Sequence, residues 1–117
     1  MENLAVEITR FVDDHQPGWV ECEFVDAAGS RHILVDKVPI LSLESLDATS
    51  NYPRVGFARC EVFHRWKDDR GRKLARISIA SPDGIESTQG LSEFVVLFTQ
   101  LSVTKLLSDM NDSYGNS

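Results

Sequence analysis

A chain of 117 residues with 42% hydrophobic and 26% charged side chains has the size and composition of one globular domain, which excludes global disorder and a second independent core. Eighteen acids against twelve bases give a net charge of −6, which counts against nucleic acid as a partner for the molecule as a whole. No apolar run approaches the roughly 20 residues of a membrane helix, and Met1–Glu7 lacks the basic and apolar regions of a secretory signal, so a cytoplasmic protein is expected.

The charge is unevenly placed. Residues 1–50 carry ten acids and three bases, whereas 54–76 carry eight bases against Glu61, Asp68 and Asp69. A basic segment sits on an acidic protein, and this speaks to partners more than to fold.

In chain order, Leu4, Val6 and Ile8 alternate with Ala5, Glu7 and Thr9, the period of a half-buried strand over 4–12. Asp13-Asp14-His15-Gln16-Pro17-Gly18 breaks it with turn chemistry. Segment 19–26 sends Val20, Cys22 and Phe24 to one face and Trp19, Glu21, Glu23 and Val25 to the other. Across the glycine-bearing connection at 27–30, residues 31–37 resume the strand pattern with Ile33 and Val35, which makes a hairpin. Residues 41–53 are irregular and read as a loop with one short helical turn at Leu43–Asp47.

Segment 54–66 is the clearest strand, with Ala58, Cys60, Val62, His64 and Trp66 in one phase and Arg59, Glu61, Phe63 and Arg65 in the other. The polar turn 67–72 returns it to 73–80, where Ala75, Ile77 and Ile79 face inward. After Ser81-Pro82-Asp83-Gly84 comes a last apolar strand at Glu93–Phe98, whose lack of polar alternation predicts cover on both faces. Leu101–Leu107 is expected to add a helical turn or two, and 108–117 to form a flexible polar tail, leaving one domain over 1–107. Six strands at this spacing predict a mostly β protein, an antiparallel sheet curled into a partly closed barrel or small sandwich.

The reactive residues form no constellation. Cys22 and Cys60 lie far apart in apolar phases and read as buried free thiols. His15, His32 and His64 lack a neighbouring ligand at metal-site spacing, so no metal and no cofactor are expected. Cys60 and His64 lie four strand residues apart, about 13 Å, too far to act as a nucleophile and its base. Asp13/Asp14 and Asp68/Asp69 sit in turns, where solvation explains adjacent acids. These observations favour a protein that is not an enzyme.

The runs Gln16–Cys22, Val35–Ile40 and Gly84–Thr88 resemble a group of small bacterial proteins to which no activity is attached, over residues 5–101. In size and acidity the chain also resembles the immunity proteins that neutralise bacterial toxins.

The first reading is therefore a non-enzymatic interaction module, of immunity or regulatory type, that meets a basic protein through Asp13, Asp14, Trp19, Glu21 and Glu23. Trp19 is an interface aromatic if its face meets water, and core if the sheet curls over it; Trp66, in phase with Val62, reads as core. The alternative is a small β-barrel that binds nucleic acid through Arg59, Phe63, Arg65, Arg72 and Arg76. A strand edge at either side of the sheet can support a homodimer.

Overall fold

The computed structural model describes residues 1–103. Seven strands run in order as β1 (Glu2–Asp13), β2 (Trp19–Val25), β3 (Arg31–Lys37), β4 (Arg54–Lys67), β5 (Lys73–Ser78), β6 (Glu93–Leu97) and β7 (Leu101–Val103). A four-residue helix, α1 (Val38–Leu41), and a 3-10 turn at Phe98–Gln100 are the helical elements among the described residues. The sheet runs β3-β2-β1-β4-β5-β6, every pair antiparallel, and curls into a half-barrel, with β7 added on β1.

Two long strands produce the curl because each serves two neighbours in turn. β1 pairs through Glu2–Ile8 with β4 and through Glu7–Asp13 with β2. β4 pairs through Arg54–Cys60 with β1 and through Glu61–Lys67 with β5. Register shifts between Ile8 and Arg10, Phe11 and Asp13, and Val62 and His64 are bulges, which sharpen twist and bend the strand that carries them. Gly56 lets the bend close. A Cβ there would lie 2.7 Å from the Ile8 side chain and from the Leu41 carbonyl oxygen, so a larger residue would push α1 and β1 apart.

The concave side holds one continuous core. Leu4, Val6 and Ile8 of β1 meet Val20, Cys22 and Phe24 of β2, Ala58 and Cys60 of β4, Ala75 and Ile77 of β5, and Phe94 and Val96 of β6. Hydrogen bonds lace the open side. Ala27 N–H donates to the Val95 carbonyl at 2.9 Å, Thr88 N–H to the Ile33 carbonyl at 2.8 Å, and Gln100 Nε2 to the Val25 carbonyl at 2.8 Å. The tip of the β2–β3 hairpin is held by Asp26, whose carboxylate accepts the Ala28 and Ser30 amides and faces His32 Nε2 at 2.7 Å. The His32 ring in turn packs on Phe94 at 4.6 Å and Phe24 at 5.2 Å between centroids.

Four sequence expectations change. In β3 the buried residue is Leu34, opposite Cys22, while Val35 is 37% exposed; Ile33-Leu34-Val35 is apolar throughout and carries no phase of its own. The helical turn falls at Val38–Leu41 rather than Leu43–Asp47, since Pro39 fits the first turn of a helix where no amide partner is needed. Leu101–Val103 is a strand, recruited by the edge of β1; the rest of the expected helical stretch to Leu107 and the tail at 108–117 lie outside the described residues. β6 buries Phe94 and Val96 but leaves Val95 and Leu97 half-exposed, so its outer face is not fully covered.

A candidate interaction surface on the outer face

The bulge in β4 decides which side chains the protein shows. Up to Cys60 the inward residues are Gly56, Ala58 and Cys60. Residues opposite one another in an antiparallel pair share a face, so Val62 opposite the buried Ile77 also points inward. The extra residue between Val62 and His64 then inverts the alternation. Arg65 lies opposite the buried Ala75, on the concave side, while His64 and Trp66 lie opposite Arg76 and Leu74 on the convex side. The expectation that His64 and Trp66 share the face of Cys60 is thereby corrected, and Trp66 is outside the core.

On that convex face the His64 and Trp66 rings stack at 5.2 Å with 17° between their planes. Phe63, at the bulge, is 48% exposed, and the Arg76 guanidinium lies 5.7 Å from its ring centroid. Leu74 is buried yet belongs to no part of the concave core; it is covered from outside, between Trp66 and Leu97 in register on either side. Val95, opposite Arg76, extends the patch onto β6.

Charge pairing separates the β4–β5 hairpin from the rest of the surface. Arg10 meets Glu21, Arg31 meets Glu23, Arg54 meets Glu44, Arg59 meets Asp83, Arg65 meets Glu2 and Arg72 meets Asp68. Among the described residues, the lysines and arginines without a carboxylate partner are Lys37, Lys67, Arg70, Lys73 and Arg76. Four of these five stand on the β4–β5 hairpin. Lys37 is drawn over the Trp19 ring, 5.7 Å from its centroid.

The acidic set proposed from sequence occupies the other end of the sheet. Val20, Cys22 and Phe24 do point inward, and Glu21 and Glu23 do look outward. Both glutamates, however, are held by arginines on neighbouring strands. Arg10 Nη2 reaches Glu21 at 3.2 Å, Thr9 Oγ1 donates to the same side chain, and Arg31 Nε donates to Glu23 at 2.6 Å. Their side chains are only 24% and 27% exposed. Trp19 is half-buried at the start of β2, opposite Asp13 and Lys37. Asp13 accepts the His15 amide at 2.9 Å and the His15 ring at 3.0 Å; those contacts hold its carboxyl below the usual range and raise the His15 imidazole above its own. Asp14 is exposed without an ion pair. Donor atoms of Asp13, Asp14 and His15 lie within 4.8 Å of one another, a geometry the turn itself explains.

The alternative, basic set is scattered. Arg59 grips Asp83 through two bonds of 2.9 and 2.5 Å, Arg65 reaches Glu2 at 2.6 Å across the Phe98 ring, and Arg72 bonds Asp68 at 2.8 Å and the Ala27 carbonyl at 3.2 Å. Only Phe63 and Arg76 come together. Sequence reasoning missed His64, Trp66, Leu74, Val95 and Leu97 as companions of Arg76, because the bulge that assembles them leaves no mark in the alternation of apolar residues.

Reactive groups are quiet elsewhere. Cys22 and Cys60 are free and buried, and burial pushes their thiols up to about 12 and about 11, away from the thiolate a nucleophile needs. A groove of about 520 Å³ runs between Pro39, Ile40, Leu43, Phe57 and Val103, with the Arg59–Asp83 pair, already mutually satisfied, at its rim. No helix among the described residues is long and apolar enough to cross a membrane. Comparison with known proteins returned no matching family model, no matching curated protein and no matching solved structure.

Proposed function

We propose that the chain is a non-enzymatic interaction module whose working surface is the convex face of β4, β5 and β6, centred on Phe63, His64, Trp66 and Arg76. One observation carries this reading: among the described residues, the hairpin that bears the outward-facing rings also bears four of the five lysines and arginines left without a carboxylate, with Arg76 on the convex face itself. Trp and Arg in contact with apolar neighbours are the residue types that dominate binding energy at protein interfaces. Unanswered positive charge there favours an acidic partner and speeds its approach. The acids on β2 are weaker candidates, since each already spends its charge on a neighbouring arginine.

Affinity capture with the full chain separates the two faces. Trp66→Ala and Arg76→Glu should each cut recovery of the partner by at least about tenfold, while Glu21→Lys combined with Glu23→Lys should leave it unchanged. The opposite pattern would return the binding surface to the acidic face. If the protein is of the immunity type, the captured partner is a toxin, and a toxin gene beside this one is the inexpensive check.

A second reading, single-stranded nucleic acid on the same face, is favoured by the pairing of Arg76 with Phe63, since bases stack on rings flanked by cations. It requires a gel shift that weakens steeply with salt.

A further inference from the structure

We infer that the partner is an extended acidic segment of polypeptide that lies along the outer edge of β4 from Glu61 to Lys67 and adds a strand to the sheet, a reading that rests on the binding face proposed above. The pairing of β1 with β4 ends at Glu2 and Cys60, and β4 continues to Lys67 with β5 on one side only. Among the described residues no strand lies on its other side there. The side of Arg54–Cys60 away from β1 also lacks a strand among the described residues, but its Arg54 and Arg59 are already held by Glu44 and Asp83, and the outer edges of β6 and β3 are bridged. β6 receives Ala27 N–H at Val95, and β3 is bridged at Leu34 to Ser87 and receives Thr88 N–H at Ile33. The overhang of β1 past Ile8 contains two register shifts, whereas Glu61–Lys67 contains one, after which His64–Lys67 runs as a regular ladder.

An unpaired strand edge selects main chain, because its amides and carbonyls repeat at the spacing of another extended polypeptide. That repeat is what favours a peptide over nucleic acid. Charge selects which peptide. Lys67 lies on the edge strand, with Arg70 and Lys73 beyond it, whereas Arg65 already holds Glu2; a second β4 laid antiparallel about His64 would bring only Glu61 to Lys67 and leave the other two cations unanswered. Acids alternating with apolar residues meet these cations, and an outward apolar side chain reaches Trp66 and His64. Bulge and lysine together also guard the edge against indiscriminate pairing.

The test begins with hydrogen exchange on the free full chain. Amides on the open edge of Glu61–Lys67 should exchange quickly; protection there would mean that the edge is already occupied and would overturn the inference. Random displayed peptides of about ten residues, a strand's length, are then selected on the protein and on the Trp66→Ala/Arg76→Glu double variant. Acidic, proline-free sequences with alternating apolar residues should be enriched on the first and lost on the second. N-methylation of alternate amides in the best peptide should weaken it at least about tenfold, by removing one edge of hydrogen bonds at constant charge. Equal binding of the methylated peptide overturns strand addition but spares the face. Enrichment of basic or proline-rich sequences, or no enrichment over the double variant, also overturns it. An oligonucleotide that binds where no peptide does would reassign the same face to nucleic acid. If no peptide and no oligonucleotide binds and both variants retain the partner in capture, the face itself fails.

Discussion

The β1–β2–β3 face and the β4–β5–β6 face are built alike: twisted antiparallel strands with apolar residues inward and a tryptophan among charges outward. They differ in whether those charges are answered. On the first, Arg10 and Arg31 stand beside Glu21 and Glu23, and Lys37 covers Trp19. On the second, among the described residues, Arg76 has no carboxylate, Lys67 and Lys73 at the end of the same hairpin have none, and Trp66 stacks on His64. A run of like charges in a sequence is therefore a poor guide to surface potential. Cross-strand register decides which charges remain for a partner.

Substitutions can sharpen that contrast, the largest effects coming from residues that hold both faces up. Ile77→Ala empties a fully buried position on the concave side of β5 and should cost about 3–5 kcal/mol in urea unfolding. Leu74→Ala, three residues earlier but on the convex side, should cost less, about 1–2 kcal/mol, and should weaken partner capture, which Ile77→Ala should not do at temperatures where it is folded. Equal costs would mean that the two faces of β5 are not distinct.

Asp26 ties the tip of the β2–β3 hairpin together beside Val95. Burial alone would raise its carboxyl, but hydrogen bonds from His32, Ser30 and Ala28 outweigh this and hold it below its ordinary value. A depressed folded-state value means that the stabilisation is fully present above the unfolded-state pKa, about 4, and is lost as pH falls from there through the folded value. Asp26→Asn should therefore destabilise by about 1–3 kcal/mol near neutrality, with the deficit shrinking on acidification below about pH 4. A deficit independent of pH would remove the ionised carboxylate from the account.

The smallest effect is expected where charges are paired at the surface. A double-mutant cycle on Arg10 and Glu21 should give less than about 1 kcal/mol of coupling, because both side chains meet water. Arg76→Gln, with no carboxylate to lose among the described residues, should change stability by no more than about 0.5 kcal/mol while still weakening capture.

Much of the fold was legible in the chain. Leu4-Val6-Ile8 and Val20-Cys22-Phe24 alternate cleanly with polar residues, so β1 and β2 could be placed and faced from sequence. Ile33-Leu34-Val35 could not be faced, since each phase is apolar and only pairing with Cys22 chooses Leu34. In β4 the misreading was systematic. Val62, His64 and Trp66 continue the spacing of Cys60 without a break, and a bulge is set by how two strands meet rather than by either strand's composition. The same limit hid the Glu21–Arg10 and Glu23–Arg31 pairs, which need the register of β1, β2 and β3 before they can be seen.

The central physical claim is that the phase break after Val62 turns Trp66 outward, and the fluorescence of Trp66 tests it without any partner. In a Trp19→Phe background the single remaining tryptophan, half-buried on the convex face, should emit to the red of a core indole and be reached by acrylamide. Blue-shifted emission that acrylamide scarcely reaches would place Trp66 back in the core and contradict the surface described here.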